Sequence, residues 1–323
     1  FGVGVEKFSL GFGPRLFGKT IGGTDYRISA IPLGGYVKMV GEEPDAELDP
    51  AQTPFSFTHK PLIQRAIIVA AGPSFNLLLA VLIFFMVFLA SGIYVLRPVV
   101  GEAQDGTAAA AAGLQQGDLI QAIDGRAIES WEELAAIIGA SGGRDLTLTV
   151  NRGGERLTLT VTPELKSAQN LFGETVDRYV IGVTSAGEFV PQELSLAEAA
   201  RLSVVRTWEV TRLTVLSVVK LIQGKLPATT LGGPIKIAKM AGDQAREGLV
   251  SLLFFTAVIS INLGILNVLP IPVLDGGHLL FYAIEAVTRR PVSLKVREVA
   301  QQVGIFLLIM LMIFVIYNDI ANP

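Results

Sequence analysis

The sequence predicts a polytopic α-helical membrane protein that carries a β-loop associated with the membrane and one α+β domain inserted between spans. Three observations lead there. Half of the 323 residues are hydrophobic and only 17% are charged, and mean hydropathy is +0.52; these are values of a chain with several membrane helices, not of one globular core. Uncharged apolar runs recur three times, each close to the ~20 residues that a bilayer core of about 30 Å demands. Between the first and second runs lies a polar stretch with period-two alternation and turn signals.

Taken in order, residues 1–66 read as a cytoplasmic segment. Within it, residues 26–39 are β-favouring but broken by Pro32 and Gly34-Gly35, which on residues alone suits a hairpin. Residues 67–96 form the first predicted span. Residues 99–163 read as a small mixed domain. In it Asp124-Gly125 is a tight turn, and Ser130-Trp-Glu-Glu133 is a capping box that opens a helix. Leu146–Val150 and Leu157–Val161 alternate around Arg152-Gly-Gly-Glu155 as a hairpin. Residues 164–248 read as a polar linker with a short strand at Tyr179–Val183, followed by interfacial amphipathic helices. The first of these is capped by Ser195 and carries Arg201, Arg206, Arg212 and Lys220 among apolar residues, a pattern for lying on a membrane surface. Residues 249–269 and 303–317 are the second and third predicted spans.

Charge gives an orientation. Arg289, Arg290, Lys295 and Arg297 lie between the last two spans, and no Lys or Arg follows Tyr317. The positive-inside rule places that loop in the cytoplasm and the inserted domain outside. A net charge of −3 argues against a nucleic-acid partner. The absence of cysteine excludes disulfides and thiol catalysis.

The chemistry concentrates in Asn267-Val-Leu-Pro-Ile-Pro-Val-Leu-Asp275-Gly-Gly-His278, which follows directly on the second span. Pro270 and Pro272 lack the backbone donor a helix needs and stop it. Gly276 and Gly277 are expected to let the backbone turn tightly. Asp275 is thereby placed at a broken helix at membrane depth, where an ionisable group is costly unless paired or metal-bound. The residues alone leave open a plainer role, in which Asp275 caps the helix that follows.

The string Asn-x-x-Pro-x-Pro-x-Leu-Asp-Gly-Gly at residues 267–277 resembles the second metal-site motif of the site-2 protease family, the intramembrane zinc metalloproteases (peptidase M50). Other segments agree: Phe8–Pro14, Tyr26–Met39 and Ala71-Gly-Pro-Ser-Phe-Asn76, while Ala112-Gly-Leu-Gln-Gln-Gly-Asp118 is similar to a bacterial PDZ domain. The resemblance implies a Zn2+ cofactor with Asp275 as a metal ligand, and Asn267 as a catalytic residue supporting substrate or oxyanion. It also implies a re-entrant β-loop over residues 26–39 that binds substrate through Ile31, Pro32, Leu33, Gly34, Gly35 and Tyr36. The expected activity is cleavage of the transmembrane segments of single-span proteins, such as an anti-sigma factor or signal-peptide remnants. The expected setting is a bacterial inner membrane, with the PDZ domain periplasmic and the active site toward the cytoplasm. The lipid bilayer and a peptide or protein at the PDZ groove are the remaining expected partners.

The chain departs from the family in one respect. A zinc protease of this type needs His-Glu-x-x-His, and the two histidines, His59 and His278, cannot form it. The expectation is a chain that starts just after the catalytic helix and is inactive alone. His59 reads as a solvated linker residue, and His278, three residues after Asp275, as a supporting residue beside the ligand. Asn76 could reach the site. The competing function is a non-catalytic, membrane-anchored PDZ adaptor whose zinc motif has decayed.

Overall fold

In a computed structural model, the structure describes residues 1–42, 49–170 and 172–322, the side chains of Pro32, Leu33 and Ala228 excepted. Strands β1 (Val5–Ile21) and β2 (Thr24–Met39) open the chain, and α1 (Leu62–Ser91) follows. Next come β3 (Ile93–Leu96), β4 (Val100–Ala103), α2 (Ala108–Ala111), β5 (Leu119–Ile123), β6 (Arg126–Ala127), α3 (Trp131–Gly139), β7 (Leu146–Arg152) and β8 (Glu155–Val161). Four further strands, β9 (Glu164–Gln169), β10 (Thr175–Val180), β11 (Val183–Ser185) and β12 (Phe189–Gln192), precede α4 (Leu196–Ile222). The chain ends in α5 (Pro234–Glu247), α6 (Leu249–Val268), α7 (Asp275–Thr288) and α8 (Leu294–Ala321).

Among the described residues, α1, α6 and α8 are the helices long and apolar enough to cross a membrane. Two bounds differ from those predicted. The first helix covers 62–91 and not 67–96, because Gln64 and Arg65 are carried in its first turn while residues 93–96 leave it to form β3. The last covers 294–321 and not 303–317, because helix continues through the charged and amide residues from Lys295 to Gln302.

The chain forms two compact units: residues 1–80, 231–243 and 258–323 in one, and 81–230 and 244–257 in the other. In the first, β1 and β2 form a bent sheet wider than the predicted loop. Residues 15–21 pair antiparallel with 24–29, and residues 7–10 pair antiparallel with 35–38. Residues 7–10 also lie beside 25–28 with partner numbers rising together, from Lys7 with Asp25 to Leu10 with Ile28. Four short segments thus lie side by side. Gly11 and Gly13, at φ 89° and 85°, make the bend in β1 that only glycine takes without strain. Phe8, Leu10, Phe12, Leu16, Phe17 and Ile28 are exposed, so the sheet shows an apolar surface of the kind that lipid or a partner covers. Elsewhere in this unit, Ser260 Oγ donates to the Asn76 carbonyl at 2.8 Å, and a Cβ on Gly264 would stand 3.1 Å from the Pro73 carbonyl; small residues let α1 and α6 approach closely. The buried Asp319 of α8 accepts from the backbone N–H groups of Gly233, Ile235 and Lys236 at 2.7, 3.0 and 3.0 Å, capping α5 from outside its own sequence.

The second unit holds a four-stranded sheet in the order β6-β5-β7-β8. Leu146, Leu148 and Val150 alternate inward from β7 and are fully buried, with Ile120, Ile123, Leu134 and Ile138 around them. Asp124 and Gly125 have φ 49° and 78°, the left-handed pair of a two-residue hairpin turn. Ser130 Oγ accepts from Glu133 N, but Glu133 Oε2 accepts from Glu129 N and not from Ser130 N, so the capping box is offset by one residue. The complete box lies at Ser195 and Glu198, starting α4.

Residues 164–194 are not a linker. β11 pairs with β4 and β12 with β3, and Ile181 joins the buried core, so the PDZ-like domain runs well past 163. β9 and β10 form a hairpin whose polar residues on both faces hid its period. Its end is anchored by Glu174, which accepts from Lys220, Lys225 and Asn170. Hydrogen bonds from those partners, Lys220 first, hold the Glu174 pKa down at about 2.

Candidate active site

The site is built where α6 ends. Beyond Val268 the chain crosses Pro270 and Pro272 in a tight turn, with Leu274 N bonded to the Ile271 carbonyl at 2.8 Å. Leu274 is the N-cap of α7 and Asp275 its first residue. The capping role is therefore excluded, and no hydrogen bond to the Asp275 carboxylate is made among the described residues. Gly276 and Gly277 do not turn the chain, since neither has positive φ. They are needed because a Cβ would fall 2.1 Å from the Val268 carbonyl at Gly276 and 2.3 Å from the Ile271 carbonyl at Gly277. The broken end of α6 is folded directly onto the start of α7, and any side chain there would prise them apart.

Across from Asp275 stands Gly72 of α1, where a Cβ would lie 3.0 Å from Asp275 Oδ2. Asp275 and His278 line one side of a cavity of about 470 Å³, with Gly72 and Val69 of α1, and Val37 and Met39 of β2, on other sides. The cavity meets β2 beyond residues 31–36, where substrate binding is expected. Ile31, Gly34, Gly35 and Tyr36 lie in β2 without lining the cavity; Pro32 and Leu33 lie in the same strand, with side chains outside the described residues. Val37 and Met39 belong to the β-loop expected at 26–39, and the period of two along a strand puts them on one face. Residues 35–38 pair with β1 on one side only among the described residues.

Asn267 lies in the last turn of α6, half-buried, and is not part of the cavity lining. Asn76 gives its backbone carbonyl to Ser260 where α1 and α6 cross, and it does not line the cavity. His59 is exposed and bonds to Ser56 at 3.0 Å. Below Asp275 the cavity is closed by a charged group absent from the sequence reading: Arg65 donates to Glu285 at 2.7 Å, Arg297 approaches the other Glu285 oxygen at 3.6 Å, and Arg65 stacks 5.1 Å from the Tyr282 ring centroid. Charged residues flanking apolar runs were legible, but not that α7 would bring them together.

Asp275 has the chemistry of a metal ligand, and one imidazole stands a helical turn away. No cluster of three or more His, Cys, Asp or Glu able to hold a metal is formed among the described residues, whereas a catalytic zinc takes three protein ligands.

A second cavity, of about 310 Å³, lies in the PDZ-like domain between α3 and residues 178–183. Trp131, Leu134 and Ile138 form one wall and Tyr179–Val183 the other, so the supposed linker strand completes a groove. In the same domain, Asp118 is fully buried and takes two bonds from Arg152, both 2.8 Å, and one from Gln115 N. Burial pushes its pKa up, but the Arg152 and Gln115 bonds outweigh burial and leave it below the usual value.

Residues 1–311 match the model of peptidase family M50. The chain belongs to peptidase family M50. Relatives agree over almost its whole length. "Putative zinc metalloprotease Atu1380" of Agrobacterium fabrum is 38% identical over 337 residues, covering 99% of this chain and 89% of the relative. "Zinc metalloprotease RasP" of Geobacillus kaustophilus is 33% identical, covering 99% and 91%. Among solved structures, the PDZ domain of the SdrC-like protein Lmo2051 from Listeria monocytogenes is 26% identical over 27% of this chain and 84% of that one, with a TM-score of 0.22.

Proposed function

We propose that this M50 chain is the body of an intramembrane zinc endopeptidase that cleaves the transmembrane segments of single-span proteins, with Asp275 as one zinc ligand. The observation that carries the reading is the Asp275 carboxylate, freed from capping, set against Gly72 and facing a cavity beside a β-strand edge. Zinc, when bound, would polarise the scissile carbonyl and lower the pKa of a bound water toward about 7. The remaining ligands and the general base would be a His-Glu-x-x-His helix that residues 1–323 do not contain.

This chain's own residues do the rest. A peptide bond inside a helix is shielded by its own hydrogen bonds, so substrate must be drawn out before it can react. The edge at residues 35–38 offers replacement bonds by strand addition, and Val37 and Met39 carry that edge into the cavity. Asn267 would support the substrate from the end of α6, the role the family resemblance gives it. The PDZ-like domain would lie outside the cytoplasm and act as a filter on bulky substrates.

The deciding experiment reconstitutes the full-length protein in liposomes with a single-span substrate. Asp275→Asn is expected to abolish cleavage and to lower bound zinc, measured by metal analysis. Full zinc content in that variant would remove Asp275 from the ligand set. Zinc-free wild type without cleavage of any single-span substrate would favour the adaptor reading.

A further inference from the structure

The helix that begins with Asp275 is held at two levels on two sides. On α1, Gly72 faces Asp275, and Arg65, seven residues earlier, faces Tyr282 and Glu285. On α8, a Cβ at Gly304 would lie 2.8 Å from Val273 Cγ2, and Arg297, again seven residues earlier, stands 5.9 Å from the Phe281 ring and 3.6 Å from Glu285 Oε2. Each neighbour thus presents the same pattern, an arginine and then a glycine two turns on. Two turns of helix advance about 10 Å, so each arginine stands that far along its helix from its glycine, toward the Glu285 end of α7. The glycines allow close approach at the top, and the arginines share one carboxylate at the bottom.

A buried ion pair is a weak source of stability, because removing its charges from water offsets their attraction. Arg65 and Glu285 are 13% and 15% exposed, and an apolar pair would hold the helices together as firmly. What the ion pair supplies is a fixed register. Arg65 is itself tethered, its Nε donating to the Lys60 carbonyl at 3.2 Å, and Glu285 can meet it at one height of α7 only. The two jaws are unequal. The Arg65 side makes a hydrogen bond, while Glu285 Oε2 and Arg297 Nε are buried without one.

We infer that Glu285, gripped between Arg65 and Arg297, is a positioning residue that sets the height of α7 and with it the place of the Asp275 carboxylate opposite Gly72. The inference rests on the proposed role of Asp275 only for its effect on cleavage; its effect on helix position stands apart. A shift of 1 Å in a reacting group can cost about a hundredfold in rate, so a loosened register lowers kcat far more than it raises KM.

Residues 1–323 hold no cysteine, so labels placed in them are unique once any cysteine elsewhere in the full-length protein is changed to serine. Spin labels at Ile67→Cys on α1 and Ile284→Cys on α7, both exposed, report the distance between the helices. Glu285→Gln and Arg65→Lys are expected to broaden that distance distribution and lower kcat about tenfold with KM within twofold. Arg297→Lys should have a smaller effect, since its jaw is looser. Inverting all three charges in one chain, Arg65→Glu, Glu285→Arg and Arg297→Glu, should restore both readouts. An unchanged distance and kcat in Glu285→Gln overturns the inference, as does an inverted variant that folds with wild-type thermal stability but recovers neither. Should Glu285→Gln fail to fold, Arg65→Lys decides on the same criteria. Asp275→Asn run alongside separates the two ideas: retained cleavage there refutes the proposed ligand, while the distance measurement still judges the clamp.

Discussion

Replacing Gly72 with alanine should separate stability from activity. The added methyl would stand 3.0 Å from Asp275 Oδ2, and ordinary contact begins near 3.4 Å. The carboxylate or α1 must therefore give by a few tenths of an ångström. If a full ångström costs about a hundredfold, that displacement costs roughly five- to tenfold in kcat/KM. Valine, with methyls reaching further along the same line, should cost about a hundredfold. Stability moves the other way. Alanine is favoured over glycine inside a helix by about 1 kcal/mol, and the strain is confined to one contact, so the unfolding midpoint should hold or rise. The assay is cleavage of a single-span substrate in liposomes, with thermal unfolding of the same preparations in mild detergent. Alanine and valine variants both within twofold of wild type would refute the reasoning, because a carboxylate used in catalysis cannot be crowded without consequence.

Three other outcomes follow from the same structure. Because N–H groups alternate sides along a strand, proline at one of Tyr36 and Val37 removes an edge donor and should cut turnover more than alanine at the same position; equal effects at both positions in the same cleavage assay would mean that side-chain packing, not strand addition, matters there. Excising residues 93–192, the limits set by the pairing of β3 with β12, should preserve cleavage of a substrate whose outer domain has been trimmed and admit bulkier ones; total loss would make the domain part of the catalytic scaffold. Asp118→Asn should lower the unfolding midpoint of the PDZ-like domain at pH 7. Because the folded pKa of Asp118 is depressed, its contribution is present above the unfolded value near 3.9 and disappears as pH falls through the folded one, so the difference from wild type, followed by circular dichroism, should close in acid.

The parts of the fold legible in advance were those with a strong period or a strong stop. The apolar runs of α1, α6 and α8 needed only their length, and β7 and β8 only their alternation. Pro270 and Pro272 located the break before Asp275. What stayed hidden depended on partners far away in the chain. β9 and β10 are polar on both faces because the hairpin projects from the core, so no alternation marked them. β11 is three residues long and is defined by β4, some eighty residues earlier. The role of Gly276 and Gly277 was misjudged because a glycine looks the same whether it permits a turn or a close approach; only the position of the Val268 and Ile271 carbonyls tells them apart. Arg65, Glu285 and Arg297 read as separate charges near membrane ends until α7 gathered them.

The Asp319 cap carries a consequence for how the protein is made. The start of α5 takes its three bonds from a residue 86 positions later in the chain. At a synthesis rate of about 5–20 residues per second, that helix waits roughly 4 to 17 seconds after leaving the ribosome before its cap exists. A chain stalled or clipped before Asp319 would carry α5 with its leading N–H groups bare of these bonds.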